Sequence, residues 1–210
     1  MKIFTLLVLQ LLSLTVGAET KVLMMIPNDF MWPEYSEPRK LYEAAGFKVT
    51  TAGRFQESVN PDRRNLKDFP ESAPVKVDLS FEQVKIEDYD AITFVAGNGA
   101  WHDFFPNQVV HDLVVQAYKQ KKILGLLCAS TGLLGLAGNW DGNSPLAPGR
   151  RAVGYFRVKG LLTNLGKINY VDGGQKEPGV LVDGHLITGR NPESSRIFGE
   201  KVVEVLKKKL

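Results

Sequence analysis

The 210-residue chain has one cysteine, Cys128, and three histidines. One cysteine excludes an internal disulfide. Cys128 is therefore a buried apolar residue, an intermolecular bridge or a reactive thiol. No cluster of His, Cys and carboxylates has ligand spacing, so no metal site is expected. The formal net charge of +3 is too small to imply a nucleic-acid or acidic-lipid partner. Beyond the amino terminus, no apolar run is long enough to span a bilayer.

The amino terminus itself has a charged start, Met1-Lys2, an uncharged stretch from Ile3 to Val16, and small residues at Val16-Gly17-Ala18. This is the pattern of a secretory signal cleaved after Ala18. The alternative is a membrane anchor, but the run falls short of the ~20 residues a spanning helix needs and lacks a basic flank. No cysteine follows to carry a lipid, so no stable membrane anchor is expected after cleavage. Residues 1–18 thus read as a signal peptide and 19–210 as a single domain, secreted or periplasmic. The tail Lys207-Lys208-Lys209 reads as the basic last turn of a helix.

Along the mature chain, strands and helices alternate. KVLMMIP, Lys21 to Pro27, reads as a strand buried on both faces. Ser36 to Ala45 reads as a helix stopped by Gly46, and Phe47 to Ala52 as a second strand. Arg54 to Pro74 is a polar surface excursion before a strand at Val75 to Leu79. Ala91 to Ala96 is a strand, Asn107 to Gln120 a helix with His111 on its surface, and Ile123 to Leu127 another buried strand. A helix follows from Ser130 to Ala137, its start marked by the hydroxyls of Ser130 and Thr131, then a long loop near the cysteine from Asn139 to Gly149. Val180 to Thr188 is a hairpin turning at Asp183-Gly184, which also places His185, and Glu193 to Lys207 is the last helix. The pattern predicts an α/β fold with a mostly parallel sheet, helices on both faces, and sites at the carboxyl ends of strands.

ILGLLCASTGLLGLAG, Ile123 to Gly138, puts a thiol on the turn between a buried strand and a helix. That is a nucleophile elbow: the side chain is forced into a strained position, and the helix end favours thiolate over thiol. The neighbouring Gly97-Asn98-Gly99 loop continues to Ala100-Trp101-His102 without a third glycine. A dinucleotide site is therefore disfavoured, and no cofactor is expected.

Four segments in register resemble the ThiJ/PfpI family of the DJ-one superfamily. They are Pro27 to Gly53, Val75 to Phe104, the cysteine elbow, and VDGHLITGRNPESS from Val182 to Ser195. The resemblance implies a flavodoxin-like three-layer sandwich within the glutamine-amidotransferase-like class. It makes Glu34 the acidic partner of Cys128, with Glu37 the competing choice, and Gly97 and Ala129 the backbone donors of an oxyanion pocket. Asn98 and His102 lie in the adjoining loop, and Ala96 stands where the family pattern has a glycine. Ala129 also stands where protease-like relatives carry a histidine, which argues against peptide hydrolysis. Leu126 and Ser130 depart from G-x-C-x-G, which argues against amidotransferase activity.

What the resemblance implies is a cysteine-dependent, glyoxalase- or deglycase-like enzyme acting on small carbonyls such as methylglyoxal. The alternative is a redox-sensing or stress-protection protein whose cysteine meets an oxidant without turnover. A third reading is a holdase-like chaperone or a scaffold with a vestigial site. Relatives commonly form dimers or larger assemblies, although no stretch of this chain specifies an interface.

Overall fold

The computed structural model describes residues 19–139 and 143–209; the expected signal peptide lies outside them. The strands are β1 (Lys21–Met25), β2 (Lys48–Gly53), β3 (Ser58–Val59), β4 (Val75–Lys76), β5 (Leu79–Ser80), β6 (Ala91–Phe94), β7 (Ile123–Leu127), β8 (Arg151–Ala152), β9 (Asn169–Tyr170), β10 (Val180–Asp183) and β11 (Leu186–Gly189). The α-helices are α1 (Trp32–Ala44), α2 (Gln108–Lys119), α3 (Leu133–Leu136) and α4 (Ser195–Lys209). One seven-stranded sheet runs in the order β10-β11-β7-β6-β1-β2-β5. All its pairings are parallel except β10 with β11. This is the mixed α/β architecture that the alternating pattern predicts, in the flavodoxin-like arrangement that the family resemblance implies.

Every residue of β6 and β7 is buried, because helices cover both faces of the sheet. α4 packs on β7 and β11 and crosses α1 closely; a Cβ at Gly199 would lie 2.9 Å from Pro38 Cα. The Phe198 ring lies over Gly125 of β7, where a Cβ would come within 2.8 Å of it. Parallel register aligns the carboxyl ends: Met25 pairs with Phe94, Phe94 with Leu126, and Leu127 with Gly189. Cys128, the 95–99 loop, the residues after Met25 and the segment after Gly189 therefore all emerge along one edge.

Several elements differ from the sequence reading, each for a local reason. α1 begins at Trp32 rather than Ser36, with Pro33 in its first turn, where a missing N–H costs no hydrogen bond. Glu34 thus enters the helix. The strand expected from Val75 to Leu79 divides into β4, paired with β3, and β5, paired with β2. Asp78 makes the break by accepting the Thr51 N–H at 2.8 Å and its hydroxyl at 2.9 Å. The helix after the elbow is a 3₁₀ segment, Cys128–Gly132, followed by the single turn α3. There the Ser130 and Thr131 hydroxyls donate to the Leu127 and Cys128 carbonyls, both at 2.7 Å, in competition with the α-helical ladder.

His111 is on α2 but buried, 1 % exposed, because it shares the inward face with Val110 and Val114. The loop expected near the cysteine runs elsewhere. Its residues 140–142 lie outside the described residues, and Ser144 to Leu146 lie beside Val115 and Lys119 of α2. The Asp183-Gly184 hairpin forms as expected, with Gly184 at φ +64°.

Candidate active site

Cys128 has φ +56°, a conformation that L side chains rarely adopt, and the surrounding bonds hold it there. The Leu127 N–H donates to Ser130 Oγ at 2.9 Å, and the Tyr155 N–H donates to the Cys128 carbonyl at 3.3 Å. The elbow predicted from the sequence is therefore present. The thiol is only 5 % exposed and lines a cavity of about 400 Å³.

Glu34 faces the thiol from the first turn of α1, 1 % exposed. Its Oε2 accepts the Ala96 N–H at 2.8 Å, while Oε1 makes no complete hydrogen bond and the carboxyl interacts with the Cys128 thiol. Pro38 has no N–H to offer the Glu34 carbonyl, so the helix is also weakened at this residue. Glu37, the competing candidate, is partly exposed on the same helix and pairs with Lys40 at 3.5 Å. The geometry brings Glu34, not Glu37, to the cysteine.

Gly97 has φ +112°, and a Cβ there would lie 2.6 Å from both Asp29 O and Met31 N. Only glycine fits. Its N–H has no protein acceptor among the described residues, and Gly97, Asn98 and Ala129 all line the cavity beside Cys128. The Ala129 N–H is directed at the cysteine sulfur. His102 is exposed and does not line the cavity. It sits on a π-helical turn, Ala100–Phe104, that presents its neighbour Trp101 instead.

The cavity has walls that the sequence reading did not assign. Asp62 and Arg64 come from the polar excursion, Tyr155 to Arg157 from the segment after β8, and Asn191 to Glu193 from the turn into α4. Gln175 and Lys176 complete the rim on a loop held by two side chains. Asn191 Nδ2 donates to the Gln175 and Glu177 carbonyls at 2.9 and 3.0 Å, and the buried Arg190 guanidinium donates to Glu177 and Asp172 carbonyls. No single motif joins these positions. Of the wall residues, the sequence signalled only Asn191 to Glu193, as part of a matching segment.

Burial dominates the electrostatics. It pushes Glu34 up to about 8, opposed by the Ala96 N–H and the Cys128 contact and assisted by the charge of Glu193. Burial also raises the Cys128 thiol well above its ordinary value, followed by the negative charge of Glu34; the Ala129 N–H opposes both. The expectation that the short helix favours thiolate is thus outweighed by desolvation. The two groups titrate together. While Glu34 holds a proton, its like-charge penalty on sulfur is absent, and its O–H can donate to a developing thiolate. Among the described residues, no group of three or more His, Cys, Asp or Glu could hold a metal.

A buried acid beside a cysteine on a strained elbow, within this sheet order, defines the class. The model of the DJ-1/PfpI family matches residues 20–205, and the chain belongs to that family. It is 28 % identical to General stress protein 18 of Bacillus subtilis, over 90 % of this chain and 98 % of that protein. It is 24 % identical to Deglycase PfpI of Pyrococcus furiosus, over 89 % of this chain and 99 % of that protein. The fold matches a ThiJ/PfpI domain protein from Brachyspira murdochii with a TM-score of 0.75 and 21 % identity, over 90 % of this chain and 98 % of that one.

Proposed function

We propose that this chain is an exported, cysteine-dependent enzyme that acts on small reactive carbonyl compounds in a glyoxalase- or deglycase-like reaction. The observation that carries this reading is the buried Glu34 carboxyl, with a pKa of about 8, interacting with Cys128 in a cavity. An acid with that affinity exchanges protons near neutral pH, as acid–base catalysis requires. The name of the Pyrococcus relative supports the same chemistry.

In the first step, the Cys128 sulfur forms a bond to the aldehyde carbon. The C=O π pair moves to oxygen, toward the Gly97 and Ala129 N–H groups. The thiol proton passes to that oxygen through Glu34, giving a neutral hemithioacetal and returning Glu34 to its starting state. Cys128→Ser is expected to reduce methylglyoxal consumption to the uncatalysed background. Equal consumption by the purified variant and the wild type would overturn the reading.

A second reading is that Cys128 is oxidised to sulfenic or sulfinic acid and Glu34 stabilises the product by a hydrogen bond. It is favoured by the same contact and by the name of the Bacillus relative. Mass spectrometry after mild peroxide treatment would then find the added oxygen at Cys128.

A further inference from the structure

The charges around the cavity are arranged unevenly. Asp62 is buried, 5 % exposed, and both its oxygens accept from Arg64 Nε, at 3.0 and 3.2 Å. The same carboxylate accepts the Arg64 backbone N–H at 3.0 Å. The guanidinium is thus tethered at the cavity rim by a buried partner, with its side chain 67 % exposed, while its Nη1 donates to no protein acceptor among the described residues. The pair is tied to the segment that precedes α1: the Asp62 N–H donates to the Phe30 carbonyl at 2.9 Å, and Phe30 and Pro61 form a β-bridge.

Sheet order decides which side each charge occupies. Arg64 is anchored beyond the end of β1, two strands from β7 and its Cys128. Glu193 follows β11, the neighbour of β7 on the opposite side, and its charge acts on both Cys128 and Glu34. The cavity beside the thiol is thus bordered by Arg64 on the β1 side and by Glu193 on the β11 side, with Arg157 and Lys176 as its other cations. Two strand spacings are about 10 Å, and Arg64 and Cys128 line the same cavity of about 400 Å³. A small compound that reaches the sulfur therefore enters the same space that the guanidinium borders.

We propose that the cavity selects small electrophiles carrying a carboxylate near the reacting carbon, with Arg64, oriented by Asp62, binding that acid group. This deepens the carbonyl-enzyme reading and rests on it for the natural substrate, but the selectivity belongs to the cavity and is measurable without turnover. The ratio of Cys128 alkylation rates with iodoacetate and iodoacetamide, two reagents of similar size that differ in charge, reports it directly. Relative to the unfolded protein, the folded wild type is expected to favour iodoacetate.

Arg64→Gln is expected to lower that ratio about fivefold, the order of effect of one charge ~5 Å away in a wet site. Arg64→Lys should keep part of the preference, since it retains the charge and loses the planar fork. Glu193→Gln should raise the ratio. An unchanged ratio in Arg64→Gln would overturn the proposal. So would a full loss in Arg157→Gln, whose exposed guanidinium stacks on Phe156, with Arg64→Gln unaffected. Failure of the wild type to consume methylglyoxal would instead count against the parent reading and leave the alkylation ratio as an independent result.

Discussion

The two ends of the central sheet are built from the same strands but settle their polar groups differently. At the amino ends, backbone groups and charges meet local partners: the Lys48 N–H donates to the Thr20 carbonyl at 2.9 Å, and Lys122 Nζ to the Tyr89 carbonyl at 2.6 Å. At the carboxyl ends, Cys128 is held at positive φ, the Gly97 N–H has no protein acceptor among the described residues, and a buried carboxyl has one oxygen without a complete hydrogen bond. The amino ends have exceptions, His185 Nε2 without a hydrogen bond among the described residues and Lys121 at φ +55°, but neither residue lines the cavity. At the carboxyl ends, strain and unmet hydrogen-bonding capacity lie together beside one cavity, where an incoming group can use them.

The largest test of this contrast is Gly97→Ala. The added Cβ meets backbone atoms of Asp29 and Met31, which cannot rotate away, at a φ that alanine disfavours. A loss of about 3 kcal/mol or more is expected by urea denaturation. A smaller loss would mean that the loop adjusts and that the carboxyl end is less constrained than its geometry indicates.

Glu34→Gln should have the next largest effect, with a particular pH dependence. The folded pKa of about 8 exceeds the ordinary value of 4.5, so the folded state binds the proton more tightly. The corresponding stability is fully present below about pH 4.5 and is lost as pH rises through about 8. Glutamine, which cannot ionise, should therefore be little different at pH 5 and more stable than wild type by a few kcal/mol at pH 8, since each tenfold in proton affinity is worth about 1.4 kcal/mol. Denaturant midpoints at the two pH values check this. The same variant removes a negative charge that raises Cys128, so its alkylation profile should move to lower pH. Movement to higher pH would mean that the neutral acid's donation to thiolate outweighs the repulsion.

The elements that set up this contrast were unequally legible. The elbow was readable because a fully apolar strand, Ile123 to Leu127, runs directly into Cys128 and then into hydroxyl residues. The hairpin was readable because Asp183-Gly184 states its own turn chemistry. Glu34 emerged from the family resemblance; its local sequence alone marked only an acidic residue near a helix start. Asp62 and Arg64 were not readable, because a polar excursion looks the same whether it faces solvent or closes a cavity. The ionisation of Cys128 was also misread: helix position is visible in sequence, but the desolvation that outweighs it depends on distant segments folding over the site.

Asp183→Asn gives the smallest effect and tests the amino end. Asp183 lies at the hairpin tip beside the amino end of β7, where it accepts the Arg151 N–H at 2.8 Å and Arg150 Nη1 at 2.9 Å. These contacts, the Arg151 N–H first, hold its pKa below the ordinary carboxylate value. Its stability contribution is therefore present above the unfolded pKa and lost as pH falls through the folded one, opposite in sign to that of Glu34. Because the group is partly exposed and solvent screens it, the variant should lose about 1 kcal/mol or less at pH 7, with the difference shrinking as pH falls below the ordinary carboxylate value. A difference that instead grew with acid would show that Asp183 is strained in the same way as Glu34, and the division between the two ends of the sheet would fail.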